Sequence, residues 1–302
     1  MKKHLLTPAA RGNLLLILTA CIWGVAFVAQ KEGGSALGGL TFNGVRFLLG
    51  GGMLALLLPL LDKVGLTHRC DTPDSKRAMW LGGVLCGVAL WAASNVQQIG
   101  LLTTSAGKGG FITALYIVLV PIFGMVIGRR TTLLTWGGVV LAMVGLYLLC
   151  MQGESGFETG DLLVLACAPI FAVQILLVDK FAPHTDGVRL SCIEFFTVGI
   201  LNLPLMFGFE QPSFAAMVDC WLPLCYAGLL SSGVAYTLQV VAQKNTHPAT
   251  ASVLMSLESV FAVLAGLVLM QERLSAWELT GCGVMFAAVI LAQIPMPHKK
   301  GE

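Results

Sequence analysis

The sequence predicts an all-α integral membrane protein of ten transmembrane helices, built as two inverted five-helix repeats with the N- and C-termini cytoplasmic. Three observations lead there. Of the 302 residues, 56% are hydrophobic and only 11% are charged, where a soluble domain carries about 25% charged residues. Ten apolar runs follow one another, each near the roughly 20 residues that cross a hydrocarbon core of about 30 Å. The second half of the chain also repeats features of the first.

The first five runs are 12–30, 38–60, 79–100, 106–127 and 132–150, and the second five are 160–178, 188–208, 220–242, 248–270 and 276–295. The longest connection is 61–78, too short to bury a core of its own, so the two units are 1–150 and 151–302. In the first run, Leu18-Thr19-Ala20-Cys21 behind Lys2, Lys3 and Arg11 resembles a lipoprotein processing box. The apolar run continues through IWGVAFVAQ, however, and is long enough to span. Cys86, Cys167 and Cys192 fall inside runs, as small apolar side chains. A net charge of +2 is too small to suggest nucleic acid.

Lys and Arg mark the cytoplasmic side. With the N-terminus inside, fourteen of them fall on the inner side and four (Lys31, Arg46, Lys108 and Arg273) on the outer. That bias puts both termini in the cytoplasm, which requires an even number of spans.

GNLLLILTACIWG from Gly12 aligns with GDLLVLACAPIFA from Gly160, and Arg46-Phe47 aligns with Glu194-Phe195 at the same shift of 148. The third and eighth runs align at a shift of 141, matching Trp80, Gly87 and Gln98 to Trp221, Gly228 and Gln239. Gly138 matches Gly281 at a shift of 143. Five spans per half is an odd number, so the second half enters the membrane the other way up. Such repeats supply two alternative packings, one open to each side, which suits alternating access.

ACIWGVAFVAQK in the first run, GVRF in the second and LMQERLSAWELTGCGVMFAAVIL across the ninth and tenth resemble the drug/metabolite transporter superfamily, EamA type. The resemblance covers nearly the whole chain. It implies a transporter of the inner or plasma membrane, many relatives being exporters, with the fifth and tenth helices outside the pathway. The family often closes its fourth helix with Gly-Glu; here Gly128-Arg129-Arg130 stands instead.

Polar side chains inside a span should face the bundle interior. Ser232, Tyr236, Gln239 and Gln243 lie at helical spacing on one face, and Trp91, Asn95 and Gln98 hold the matching positions of the third run. They line a cavity or serve as hydrogen bonds between helices. Tyr116 joins them as a substrate contact. Arg46 lies about 12 Å deep in the second run at 1.5 Å per residue, with Glu194 as its counterpart, and the two form a structural pair or act on the substrate. Glu258 is the eleventh residue of the ninth run, close to the midplane, on a side of small residues. Burial disfavours a charged carboxylate, whereas Arg46 or Lys108 beside it would favour one. Glu258 is thus a candidate proton carrier or a paired structural acid. Gly83/Gly87 and Gly124/Gly128 are candidates for close helix packing.

No nucleotide loop, metal-ligand spacing or nucleophile elbow is present, and Asp71-Thr72-Pro73-Asp74 is a polar turn. The expectation is therefore a secondary transporter, not an enzyme, with no cofactor. It moves small polar or amphipathic metabolites, amino acids or drugs among them, outward as the resemblance implies, with protons as the candidate coupling ion, as a monomer or homodimer. An uptake permease of the same fold, or a membrane enzyme acting on a lipid-linked substrate, are the alternatives.

Overall fold

The computed structural model describes residues 7–68, 70, 72–104, 106–150, 159–269 and 275–294. Every regular element among them is helical. Asp71, Gln271, Glu272, Arg273 and the side chain of Lys108 lie outside the described residues.

Local signals set the helix ends. Thr7 accepts from the Ala10 amide and Pro8 opens α1, Pro8–Leu37. Gly38, at φ 85°, ends α1 and passes directly into α2, Gly39–Lys63. Thr72 and Pro73 repeat the opening at α3, Pro73–Leu101. The fourth run is two pieces, α4 (Ala106–Thr113) and α5 (Tyr116–Val126), followed by α6, Leu133–Cys150. The second half begins with α7, Thr159–Phe181, and α8, Gly187–Phe209, which Asp186 caps. After a short α9, Phe214–Asp219, the eighth run is α10 (Trp221–Cys225), a π-helical stretch (Tyr226–Tyr236) and α11 (Thr237–Gln243). The ninth is broken into α12 (Pro248–Met255) and α13 (Glu258–Leu269), and α14 is Ala276–Gln293.

Eight segments are long and apolar enough to cross a bilayer: Pro8–Leu37, Gly39–Lys63, Pro73–Leu101, Gly109–Val126, Thr159–His184, Gly187–Phe209, Trp221–Gln243 and Pro248–Ala265. The protein is an all-helical, multi-pass membrane protein. Within α6 and α14 the apolar stretches are shorter, Leu133–Leu148 and Leu279–Ala292. Several helices outrun the apolar run that announced them, because caps and glycines, not polarity, stop them.

Two helix pairs pack closely through glycines. A Cβ on Gly44 of α2 would stand 3.0 Å from Asn202 of α8, and one on Gly51 would stand 3.3 Å from Phe196. Rising numbers on α2 meet falling numbers on α8, so the two run antiparallel. In α6 and α14, a Cβ on Gly138 would lie 3.1 Å from the Ala288 carbonyl oxygen, and one on Gly145 would lie 3.1 Å from that of Gly281. This pair is antiparallel too. Gly83 and Gly87 bring α3 against α8, within 2.7 Å of Ile193 and 2.5 Å of Thr197 for an added Cβ. Gly124/Gly128 is not a packing motif. Gly128 sits at φ 82°, where an added Cβ meets nothing within 4 Å, and it ends the helix.

Candidate functional site

α2 carries Arg46 into the interior, 1% exposed. Its Nε donates to Asn43 Oδ1 at 2.7 Å, its guanidinium lies 4.7 Å from the Phe47 ring centre, and Nη2 has no partner. Asn43 continues the chain of bonds to Asn95 of α3, and Asn95 to Asn202 of α8, each at 2.9 Å. This amide ladder fixes three helices around the cation.

The acid arrives from the broken helices. α4 ends at Thr113 and α5 resumes at Tyr116; α12 ends at Met255 and α13 resumes at Glu258. Neither break contains Pro or Gly. Tight i→i+3 bonds, Ile117 N to Ala114 O at 3.0 Å and Ser259 N to Ser256 O at 3.2 Å, carry the chain across. Tyr116 and Glu258 are thus each the first residue of a resumed helix, and the Tyr116 hydroxyl donates to Glu258 Oε1 at 3.1 Å. Broken spans at mid-depth are where membrane transporters place their binding sites.

The eighth span supplies a third wall. Its π-helical stretch ends at Tyr236, whose ring centre lies 4.6 Å from Trp23, 5.8 Å from Phe47 and 6.2 Å from Phe195. Gln239 Nε2 donates to Gln174 Oε1 at 3.3 Å, and Gln174 Nε2 donates to Glu194 Oε1 at 2.9 Å. Gln239 Oε1 and Glu194 Oε2 have no partner.

Together these residues enclose a cavity of about 30 Å³, measured as the volume open to the centres of water molecules. At roughly 10–15 Å³ per water it holds about two. A ligand pocket has several hundred Å³, so the helices stand closed down here, too tightly for a molecule of that size.

Tyr116, Tyr236, Gln239, Arg46 and Glu258 all line this cavity. Glu194 is one bond behind the wall, on Gln174, and no ion pair joins it to Arg46. The others point elsewhere. Asn95 belongs to the amide ladder, and Gln98 Nε2 donates to the Gln30 carbonyl at 2.8 Å. Trp91 is half-buried, its Nε1 unpartnered and off the wall. Ser232 packs 3.1 Å from the Cβ position of Gly50. An extra residue turns a helical face by about 100°, so the wider π turns between Tyr226 and Tyr236 break the straight stripe expected from Ser232 to Tyr236. Sequence spacing missed Trp23, Gln30, Gln97, Thr113, Phe171 and Gln174, all on the wall. The three glutamines were findable as lone amides inside apolar runs; the aromatics carry no such signal. The wall also takes in α1, α2 and α7, beyond the third, fourth, eighth and ninth spans.

The sequence profile of the EamA-like transporter family matches this chain twice, over residues 10–151 and 158–293. The chain belongs to the EamA-like transporter family. Like other EamA-like transporters it is a multi-pass protein of the inner membrane. An uncharacterized transporter of Archaeoglobus fulgidus is 30% identical over 287 residues, 93% of this chain and 85% of the relative. The inner membrane transporter YedA of Escherichia coli is 26% identical, over 90% of this chain and 87% of its own length. The threonine/homoserine exporter RhtA of E. coli is 28% identical over 67% of each chain. A solved crystal structure, 19% identical, superposes with a TM-score of 0.76 over 93% of this chain and 96% of its own, which shows the fold. Family and relatives indicate a membrane transporter rather than an enzyme.

Proposed function

We propose that this EamA-like transporter is a secondary exporter of small zwitterionic or amphipathic metabolites, working by alternating access, with the closed cavity as its binding site. One observation carries the reading: a buried guanidinium with a free N–H and a buried carboxyl stand on the same small cavity, unpaired with each other. A charged group held inside a membrane without a counter-charge is costly, and a bound zwitterion supplies both counter-charges at once. Arg46 Nη2 meets the substrate's anionic end, and Gln239 Oε1 with Glu258 meets its ammonium. Tyr236 and Trp23 form the aromatic wall. Glu258 exchanges a proton with whichever side the cavity opens to, and so couples flux to the proton gradient. The printed name of RhtA, a threonine/homoserine exporter, supports both amino acids as the substrate class and the outward direction.

The two-repeat architecture is part of this proposal. The family profile matches twice, and contacts map onto one another when the halves are exchanged. The shift of 148 carries Gly51 to Gly199 and Leu48 to Phe196, and Gly51 meets Phe196 while Gly199 meets Leu48. Phe47 and its counterpart Phe195 pack against each other, tilted, with ring centres 5.9 Å apart. The shift of 143 exchanges the Gly138–Ala288 and Gly145–Gly281 contacts in the same way. A two-fold axis between α2 and α8, continuing between α6 and α14, accounts for all of these.

A thermal-stability screen of the purified protein tests the reading. Amino acids should stabilise it more than sugars or nucleosides, and the gain should vanish in Gln239→Ala. Stabilisation by sugars or nucleosides alone would overturn the zwitterion site.

A further inference from the structure

The same shift of 148 that relates the two central helices also relates two acids at opposite ends of the bundle. Glu210 follows the last residue of α8, and its carboxylate accepts from the backbone amides of Leu40, 3.0 Å, and Thr41, 2.6 Å, in the first turn of α2. Asp62, in the last turn of α2, takes both of its oxygens to within 2.7 Å of Arg189 Nη2, in the first turn of α8. Shifted by 148, Asp62 becomes Glu210 and Thr41 becomes Arg189. Each central helix therefore ends in an acid that grips the start of the other, once at each end.

Chemistry differs between the two grips while geometry matches. Glu210 uses backbone N–H groups at a helix N-terminus, a favourable place for an anion. Gly38 makes room for it, since a Cβ there would lie 2.5 Å from the carboxyl carbon. Asp62 uses a half-buried Arg side chain, and Thr67 adds a hydrogen bond to it at 2.6 Å. Both grips are closed in a molecule whose central cavity has room for about two waters.

We propose that Glu210 and Asp62 are paired gate latches, positioning residues of the transport cycle. Glu210 holds one face of the bundle shut and Asp62 the other, and each face opens when its own latch lets go. This rests on the alternating-access reading above. Because α2 and α8 are common to both gates, releasing one latch tilts the pair and tightens the other. The two carboxylates are the moving parts of a seesaw, and neither touches the substrate.

Hydrogen–deuterium exchange of the full chain in lipid nanodiscs tests this without any substrate. Glu210→Gln should speed exchange at residues 38–42 about fivefold, the loss of one helix-capping acceptor, and should slow it at 64–68 and 186–190. Asp62→Asn should do the reverse. Slowing at the far end is the decisive sign, since a purely local anchor would loosen its own end and leave the other unchanged. Local loosening alone, or loosening of both ends by either substitution, would overturn the proposal. If Glu210→Gln does not fold, Gly38→Ala blocks the same approach and is read the same way; for Asp62 the exchanged pair Asp62→Arg with Arg189→Asp should restore the native pattern. The two readings fail separately. Opposed exchange without flux of any substrate leaves the latches standing and removes the transport reading. Flux without opposed exchange does the converse.

Discussion

Arg46 and Glu194 hold matching positions on the two facing central helices, beside the packed rings of Phe47 and Phe195, and they do not form an ion pair. Arg46 turns to Asn43 and Glu194 to Gln174, so each keeps one polar atom unsatisfied, Nη2 and Oε2. A neutralised pair would have been a structural staple. With the two groups apart, one on the cavity wall and one directly behind it, polar atoms are left open beside the cavity, which supports the proposed ligand site.

Arg46→Lys is accordingly expected to be damaging despite the retained charge. An ammonium cannot both reach Asn43 and offer a second, fixed donor to a carboxylate. A hydrogen bond to a charged group is worth about 1.5–3 kcal/mol, so affinity for a carboxylate-bearing ligand should fall about tenfold or more. Isothermal titration against an amino acid and its decarboxylated amine checks this: the amine should bind the variant and the parent alike.

Tyr116→Phe removes the one donor to Glu258 among the described residues and leaves the ring in place. The cost in thermal stability should be modest, about 1–2 kcal/mol. The pH dependence of transport should shift while the fold is kept. A flux-versus-pH profile identical to that of the parent would separate the hydroxyl from the coupling step.

Glycines sort by what surrounds them. An added Cβ on Gly24 would stand 2.5 Å from Phe261 and 2.7 Å from the Ala262 backbone nitrogen, so α1 and α13 would have to part. Gly24→Ala should cost about 1–3 kcal/mol. Gly52 has nothing within 4 Å of its Cβ position in the middle of α2, and Gly52→Ala should stabilise by about 0.5–1 kcal/mol. Melting temperatures of the two variants in one detergent give opposite signs.

His247 caps α12, its Nδ1 accepting from the Ala249 amide at 3.3 Å. Burial lowers its pKa below 6.5, with Asp179 opposing and Arg129 adding to the shift. A lowered folded value means that the unfolded chain binds the proton more tightly. This stability is present above pH 6.5 and is lost as pH falls from there through the folded value, where the protonated ring also ceases to cap. Melting temperature should therefore drop on acidification through this window, and His247→Asn, which keeps a capping acceptor, should flatten the drop.

The all-helical, multi-pass character of the fold was legible because hydrophobic length is a one-dimensional quantity. The shift of 148 read from Arg46-Phe47 and Glu194-Phe195 also exchanges the Gly51–Phe196 and Gly199–Leu48 contacts, which supports the proposed two-repeat reading. The site was legible in part. A carboxylate at mid-depth stands out in an apolar run, and Glu258 lies on the wall. Helical spacing put Asn95 and Gln98 on one stripe, but it cannot say which neighbour takes their hydrogen bonds; Asn202 and the Gln30 carbonyl do. The breaks before Tyr116 and Glu258 were hidden because no Pro or Gly marks them, and the π turns that reset the eighth helix depend on packing against α1 and α2. Lone glutamines such as Gln174 carry the same signal as charges, since a buried amide in a span needs a partner for the same reason.

Proton-driven flux through liposomes containing Glu258→Gln is the most direct measurement. Gln keeps the shape and the bond to Tyr116 but has no proton to exchange. With the variant folded and inserted as the parent is, net efflux driven by a pH gradient should fall at least about fivefold, the scale of a lost coupling energy of 1–3 kcal/mol, while exchange of labelled for unlabelled substrate persists. Unchanged gradient-driven efflux would show that the mid-membrane carboxyl takes no part in transport.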